Sequence, residues 1–324
     1  MAVILDYATM DGALSMRDVI DLLERALAHE AAGQTDVSQK YITEFAGGAM
    51  RMLVAADHAA GYLATKAYHS IDGAGVRYVV TLYRLKDGEL LAWLDGQLIT
   101  DLRTGGASGV IARKVPLAGA VTVGIIGSGN QARMQLESLA AVYDVKAASV
   151  YSPTVANREA YAREMSAKLG ITVTPVASAQ AAVRGHKVVA AASSARSPEP
   201  VLRGEWLADC KLLCAVGNTR KQFAEVDVEC FRRAALVVVD SPHAAHEAGD
   251  LIQAAQAGAL PAEKLKTLAQ IVAGDAVLPA DGMIAFKSVG TALQDVALAG
   301  RYYELLGARA GLPGKADFPR PRDA

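Results

Sequence analysis

Apolar positions along the chain change their period twice, and the changes divide it. Residues 3–5 form a short apolar strand, and Ser15 then opens a helix over 16–32. In that helix Val19, Ile20, Leu22, Leu23, Ala26 and Leu27 recur at helical spacing, with Asp21, Glu24 and Arg25 on the other side. Five β-like runs follow, at 41–45, 50–55, 62–70, 76–84 and 90–95, punctuated by the turn signals Asp72-Gly73 and Lys86-Asp87-Gly88. They predict a mostly antiparallel sheet with one N-terminal helix. Residues 99–115 read as a second helix. From Val121 strands at 121–126, 148–151, 171–176, 187–191, 211–215 and 236–239 alternate with helices. That alternation predicts an α/β fold with a Rossmann-type, doubly wound parallel sheet. The segment 287–306, rich in Ala, Leu and Val, reads as one long helix beyond the sheet, and the basic, Pro-rich tail 318–324 reads as disordered.

The most informative local pattern lies where the period changes. Residues 121–126 are apolar and β-branched, as in a fully buried parallel strand, and they run into Gly127-Ser128-Gly129-Asn130-Gln131-Ala132. This G-x-G-x-x-A turn opens an amphipathic helix over 133–143. Gly127 permits the sharp turn, Gly129 lets backbone approach a pyrophosphate, and Ala132 lets helix pack on strand. The first helical N–H groups then face the phosphates. A second strand follows at about the distance expected of a roughly 30-residue βαβ unit, which separates this turn from a merely structural one.

The strand that should read the ribose ends Val150-Tyr151-Ser152-Pro153-Thr154, with Arg158 four residues on. An Asp or Glu there would hold a 2′-hydroxyl and repel a 2′-phosphate. Ser152 removes that carboxylate, Ser152 and Thr154 offer hydroxyls, and Arg158 offers a charged fork. NADP(H) is therefore expected over NAD(H), although the same residues would also serve as a helix cap and a solvated arginine.

Composition narrows the class. The chain has 324 residues, 52% hydrophobic and 21% charged, with a net charge of −1, as expected of a globular enzyme of two domains without a basic footprint for nucleic acid. The six His include no H-x-x-x-H or H-E-x-x-H pair, and Cys210, Cys214 and Cys230 have no second ligand pair, so no metal is expected. Unpaired thiols, Asp6 and Asp11 near the N-terminus and the lack of a long apolar span point to a cytoplasmic protein without membrane contact.

Several motifs in order along the chain carry a resemblance. They are TKAY at 65–68, LLAWLDGQLITDLRTGGASG at 90–109, VGIIGSGNQA at 123–132, AVGNTRKQFAEVD at 215–227 and FKSVGTALQD at 286–295. Together they resemble the ornithine cyclodeaminase/mu-crystallin family. The resemblance implies a segmented substrate-binding and dimerisation domain (1–115 plus 288–324), with a nucleotide-binding domain (116–287) inserted. It implies a homodimer and a small amino-acid-derived substrate held by its α-carboxylate beside the nicotinamide. Lys66 matches the family lysine and Arg103 the arginine that grips the carboxylate. Lys40 takes the place of a second arginine. Thr104, Asn130, Gln131, Ser193, Val216, Gly217 and Val289 fall on segments that approach the cofactor. Asp295 also matches a family residue, with helix packing, dimerisation and catalysis all open as its role.

Two departures stand out. Cyclodeaminases carry an Asp where this chain has Asn218, here expected to touch the substrate, and a Glu where it has Arg51. Asn takes up no proton at neutral pH, and Arg51 reverses the local charge. The resemblance thus implies reduction of a cyclic imine carboxylate to the cyclic L-amino acid, with Lys66 and Arg103 as catalytic residues. An oxidative amino-acid dehydrogenase of alanine or arginine type, an ornithine cyclodeaminase and a non-catalytic NADP-dependent binding protein are the alternatives.

Overall fold

The computed structural model describes residues 2–194 and 199–307. The tail 318–324 lies outside the described residues. The chain divides into two compact units: one runs to Arg103 and resumes at Thr291, and the other spans Thr104 to Gly290.

The first unit is a seven-stranded sheet: β1 (Val3–Leu5), β2 (Thr35–Val37), β3 (Tyr41–Phe45), β4 (Gly48–Asp57), β5 (Tyr62–Ile71), β6 (Gly75–Arg84) and β7 (Leu90–Asp95). The order is β1-β7-β6-β5-β4-β2, with β3 on the outer part of β4. All pairings are antiparallel except β1 with β7, which is parallel. Every side chain on a strand faces one side of the sheet or the other, so the register sorts them. Leu53, Lys66, Val80 and Leu94 form one row across β4–β7, and all four are buried. The next row but one, Arg51, Tyr68 and Tyr78, lies on the same face. On the opposite face Tyr41, Met52, Ala67 and Val79 share a row. The helix Met16–Ala31 carries a capping box, with Ser15 accepting from Asp18 N–H and Asp18 accepting from Ser15 N–H, so its start is where the sequence places it. The C-terminal helix Ala292–Leu306 packs on β4 and β5.

The second unit is an eight-stranded, wholly parallel sheet. Its strands are β8 (Val121–Ile126), β9 (Val145–Tyr151), β10 (Thr172–Pro175), β11 (Val188–Ala191), β12 (Leu212–Ala215), β13 (Ala234–Val239), β14 (Leu265–Thr267) and β15 (Met283–Lys287), in the order β10-β9-β8-β11-β12-β15-β13-β14. Six are the expected strands, and the Rossmann reading holds. The order reverses between β8 and β11, the switch point where ligands bind in such sheets.

The expected helix over 287–306 is corrected at its start. Residues 283–287 are β15, slotted between β12 and β13, and the helix begins only at Ala292. All five residues of β15 are buried, and such a short apolar run has no alternation to mark it as a strand. The helix Gly96–Lys114 contains the division between units. Its second half packs within the second unit: Gln135 Nε2 donates to Thr104 O at 3.3 Å, and Tyr143 Oη donates to Ala112 O and Val115 O. The division therefore falls inside this helix, at 103/104, and at 290/291.

Candidate active site

In the first unit three side chains from distant parts of the chain meet. β5 points Lys66 into the buried row of the sheet. Asp95 accepts from Leu98 N–H at the start of the helix Gly96–Lys114, and two turns on that helix presents Arg103. The first turn of the C-terminal helix presents Asp295, where the helix dipole favours a carboxylate. Lys66 Nζ donates to Asp295 Oδ1 at 2.8 Å and approaches Thr100 Oγ1 at 3.4 Å. Lys66 and Asp295 are 3% and 1% exposed. Arg103 Nε lies 3.7 Å from Asp295 Oδ1. Arg103 Nε and Asp295 Oδ2 are both buried without a hydrogen-bond partner. Orphaned polar atoms at this depth are costly, which marks this group among the described residues.

Electrostatics tune the lysine. Burial brings Lys66 down to about 8; Asp295 opposes the fall, and the charges of Arg103 and Lys40 add to it. Lys40, half-buried, therefore belongs to the same electrostatic group as Lys66 and Arg103. Of the first-unit residues singled out in the sequence, the fold brings Lys40, Lys66 and Arg103 together. Asp295 completes the group. Its pairing with Lys66 spans 229 positions, and sequence position alone leaves its role open.

The second unit carries the glycine turn. Gly127 has φ of +108°, and a Cβ there would collide with Ala192 O, so β8 and β11 close on each other only with glycine. Gly129 differs. It is the N-cap of the helix Asn130–Val142, without a side-chain cap, and a Cβ on it would meet nothing within 4 Å. Among the described residues nothing requires that glycine; the open space over a helix N-terminus, followed by the fully buried Ala132, fits a pyrophosphate. At the end of β9, Ser152 Oγ accepts from Ser128 Oγ at 2.9 Å, and Arg158 donates to Ser152 O at 2.9 Å. The Arg158 guanidinium also lies 5.9 Å from the centre of the Tyr151 ring. Thr154 is the backbone N-cap of the next helix but makes no side-chain cap bond.

The remaining residues sit on loops at the C-terminal ends of the strands, tied together by buried charges that sequence reasoning passed over. Glu225 accepts the N–H groups of Ser193, after β11, and of Gly217, after β12. Burial pushes its carboxyl up, against the charge of Lys287. Lys287 ends β15 and donates to Asn218 O at 2.6 Å and Asp250 Oδ2 at 3.1 Å. Asn218 Oδ1 accepts from Arg220 N–H, while Asn218 Nδ2 and Ser193 Oγ are buried without partners. Asp240 receives Ser288 Oγ, Val289 N–H and Gly290 N–H, and so fixes the loop that carries Val289. Glu225 and Lys287 stand inside the family motifs, which is the one signal that could have found them. Burial raises the thiols of Cys210, Cys214 and Cys230. Among the described residues no group of three or more His, Cys, Asp or Glu is placed to hold a metal ion, and no helix is long and apolar enough to cross a membrane.

A parallel sheet with a glycine turn at its switch point defines a Rossmann-type nucleotide-binding protein. The description of the ornithine cyclodeaminase/mu-crystallin family matches residues 2–309, and the chain belongs to that family. It is 30% identical over 314 residues to an alanine dehydrogenase of Archaeoglobus fulgidus, covering 93% of this chain and 94% of that protein. It is 33% identical over 230 residues to a Δ1-pyrroline-2-carboxylate reductase of Bacillus cereus, 70% of each chain. Among solved structures, the Thermococcus litoralis Δ1-pyrroline-2-carboxylate reductase in complex with NADH and L-proline aligns with a TM-score of 0.88 and 31% identity, covering 94% of this chain and 97% of that one.

Proposed function

We propose that the protein reduces a C=N bond conjugated to a carboxylate, of the Δ1-pyrroline-2-carboxylate or Δ1-piperideine-2-carboxylate type, to the cyclic L-amino acid. The observation that carries this reading is the buried Lys66–Asp295–Arg103 group, in which Arg103 Nε and Asp295 Oδ2 have no hydrogen-bond partner. A nicotinamide cofactor supplies the hydride for the imine carbon. Arg103 offers a planar fork to the substrate carboxylate. Lys66, protonated below about pH 8, gives its proton to the imine nitrogen, and Asp295 holds the ammonium in place. Asn218 takes up no proton, which disfavours ring-closing deamination. The same site run backwards is an oxidative amino-acid dehydrogenase, the alternative that the Archaeoglobus relative favours.

NADP(H) is the proposed cofactor. Arg158 uses one N–H on Ser152 O and is held beside the strand end, with donors left for a 2′-phosphate. The first unit is proposed to bind substrate and to dimerise, and the second to hold the nucleotide. Cytoplasmic location is part of the same reading.

The test is cofactor oxidation followed by absorbance, with both cyclic imines and with NADPH and NADH in parallel. NADPH is expected to be the better donor. Lys66→Ala and Arg103→Ala are each expected to lower kcat/KM by about 100-fold or more. L-Ornithine with NAD and an ammonia readout is the control. Ammonia and proline from ornithine, with neither imine turned over, would overturn the reading.

A further inference from the structure

We propose that Arg51 reads a second anionic group, so that the imine this protein reduces is a dicarboxylic one. The inference rests on the imine-reduction reading above, keeps its chemistry, and replaces the cyclic monocarboxylic imine by an open-chain dicarboxylic one.

The sheet register places Arg51 next to the proposed carboxylate grip. Arg51 on β4 stands opposite Tyr68 on β5, and Tyr68 opposite Tyr78 on β6. Lys66 precedes Tyr68 by two residues and therefore shares its face. Arg51 and Lys66 are thus diagonal neighbours on one face of β4 and β5, a relation that separates such positions by about 7–8 Å. The stacked rings of Tyr68 and Tyr78, with centroids 4.9 Å apart, form an apolar floor beside them. Burial, with the charges of Tyr68 and Asp101, pushes the Tyr78 phenol up, and the charges of Arg103 and Arg51 act on it in the opposite direction.

Cations outnumber carboxylates around this face: Lys40, Arg51, Lys66 and Arg103 stand against Asp295, Asp101 and Glu44, the last diagonal to Arg51 across β3 and β4. Asp295 serves Lys66 and Arg103. Arg51 has only neutral partners: its Nη1 donates to Ser70 Oγ at 3.2 Å, and its guanidinium lies 5.7 Å from the centre of the Tyr68 ring. Among the described residues no carboxylate pairs with Arg51. A guanidinium has five N–H donors, and this one spends a single donor on a hydroxyl. One α-carboxylate on Lys66 and Arg103 leaves Arg51 as a surplus cation one step further along the same face. A second carboxylate on the substrate side chain supplies the missing charge. It is also the group whose planar shape the fork matches.

The chemistry is that of the proposed reaction with one more anchor. An imine of a 2-oxo dicarboxylic acid gains a hydride at carbon from the reduced nicotinamide and a proton at nitrogen from Lys66. The products are the acidic amino acid and the oxidised cofactor.

The experiment uses the full chain and NADPH, with imines formed in place from ammonia and oxaloacetate, 2-oxoglutarate or pyruvate, and Δ1-pyrroline-2-carboxylate as a preformed monoanion. The wild type is expected to favour a dicarboxylic imine over the pyruvate imine by tenfold or more in kcat/KM. Arg51→Gln is expected to cut that ratio at least tenfold, through KM for the dianion, and Arg51→Lys to restore part of it. Circular dichroism and thermal melting check that each variant folds. Equal use of monoanionic and dianionic imines by the wild type would overturn the inference. So would a loss in Arg51→Gln that is the same for both. Turnover of Δ1-pyrroline-2-carboxylate without a dicarboxylate preference removes this inference alone. No turnover of any imine removes the reading beneath it as well.

Discussion

At the scale of single residues the molecule is governed by a lysine buried beside a carboxylate. Lys66 sits near 8 because burial disfavours its charge more than Asp295 favours it. A proton donor of that strength is charged at neutral pH yet gives up its proton readily. Reductive kcat/KM is expected to fall as pH rises through about 8, and oxidative turnover of the product to rise through the same range. Asp295→Asn removes the influence that holds the value up, so the limb should move to lower pH. A pH–rate profile for wild type and variant measures both. An unmoved limb would show that another group donates the proton. Arg103→Lys should recover little activity, because a point charge does not reproduce a fork.

At the scale of elements, the turn between β8 and the helix Asn130–Val142 carries two glycines with different duties. Gly127 is a matter of fold: its φ and the approach of Ala192 O leave no room for a side chain. Gly127→Ala is expected to cost about 1–3 kcal/mol, read as a lower melting temperature. Gly129 is proposed to serve the ligand, since among the described residues its Cβ would meet nothing within 4 Å. Gly129→Ala is expected to melt near the wild-type temperature while KM for NADPH rises about tenfold. Equal melting losses in the two variants would show that both glycines are structural. The loops beyond β11 and β12 show the same division of labour. Glu225 fixes Ser193 and Gly217 by their N–H groups, while among the described residues Asn218 Nδ2 and Ser193 Oγ are buried without partners.

At the scale of the whole molecule, the outer face of the first unit's sheet is unusually apolar. Tyr41, Met52 and Val79, all on one register row, are 63%, 42% and 47% exposed, and Phe45 lies on the same face at 46%. A patch of that kind marks a surface that associates, and a second copy of the chain is its proposed occupant. Met52→Glu combined with Val79→Glu should turn a dimer into a monomer in sedimentation velocity. A wild-type chain that sediments as a monomer would remove the homodimer from the reading.

Much of this was legible along the chain. The strands from β3 to β9, the capping box at Ser15 and the nucleotide turn are local: each is written in a period, a cap or a glycine at a fixed offset, and the backbone obeys such signals wherever they stand. Lys66, Arg103 and Asn218 came from motifs. Other features needed the tertiary structure. β15 is five buried residues without alternation, and only its neighbours β12 and β13 make it a strand. The pairing of Lys66 with Asp295 closes across 229 positions, and Glu225 joins loops from two different strands. Sheet order decides which residues meet, and burial decides their charge. The sequence by itself determined which groups are available and which local turns they follow; the packed sheet decided that Lys66 titrates near 8 and which atoms around it remain unpaired, because proximity and desolvation are properties of the fold as a whole.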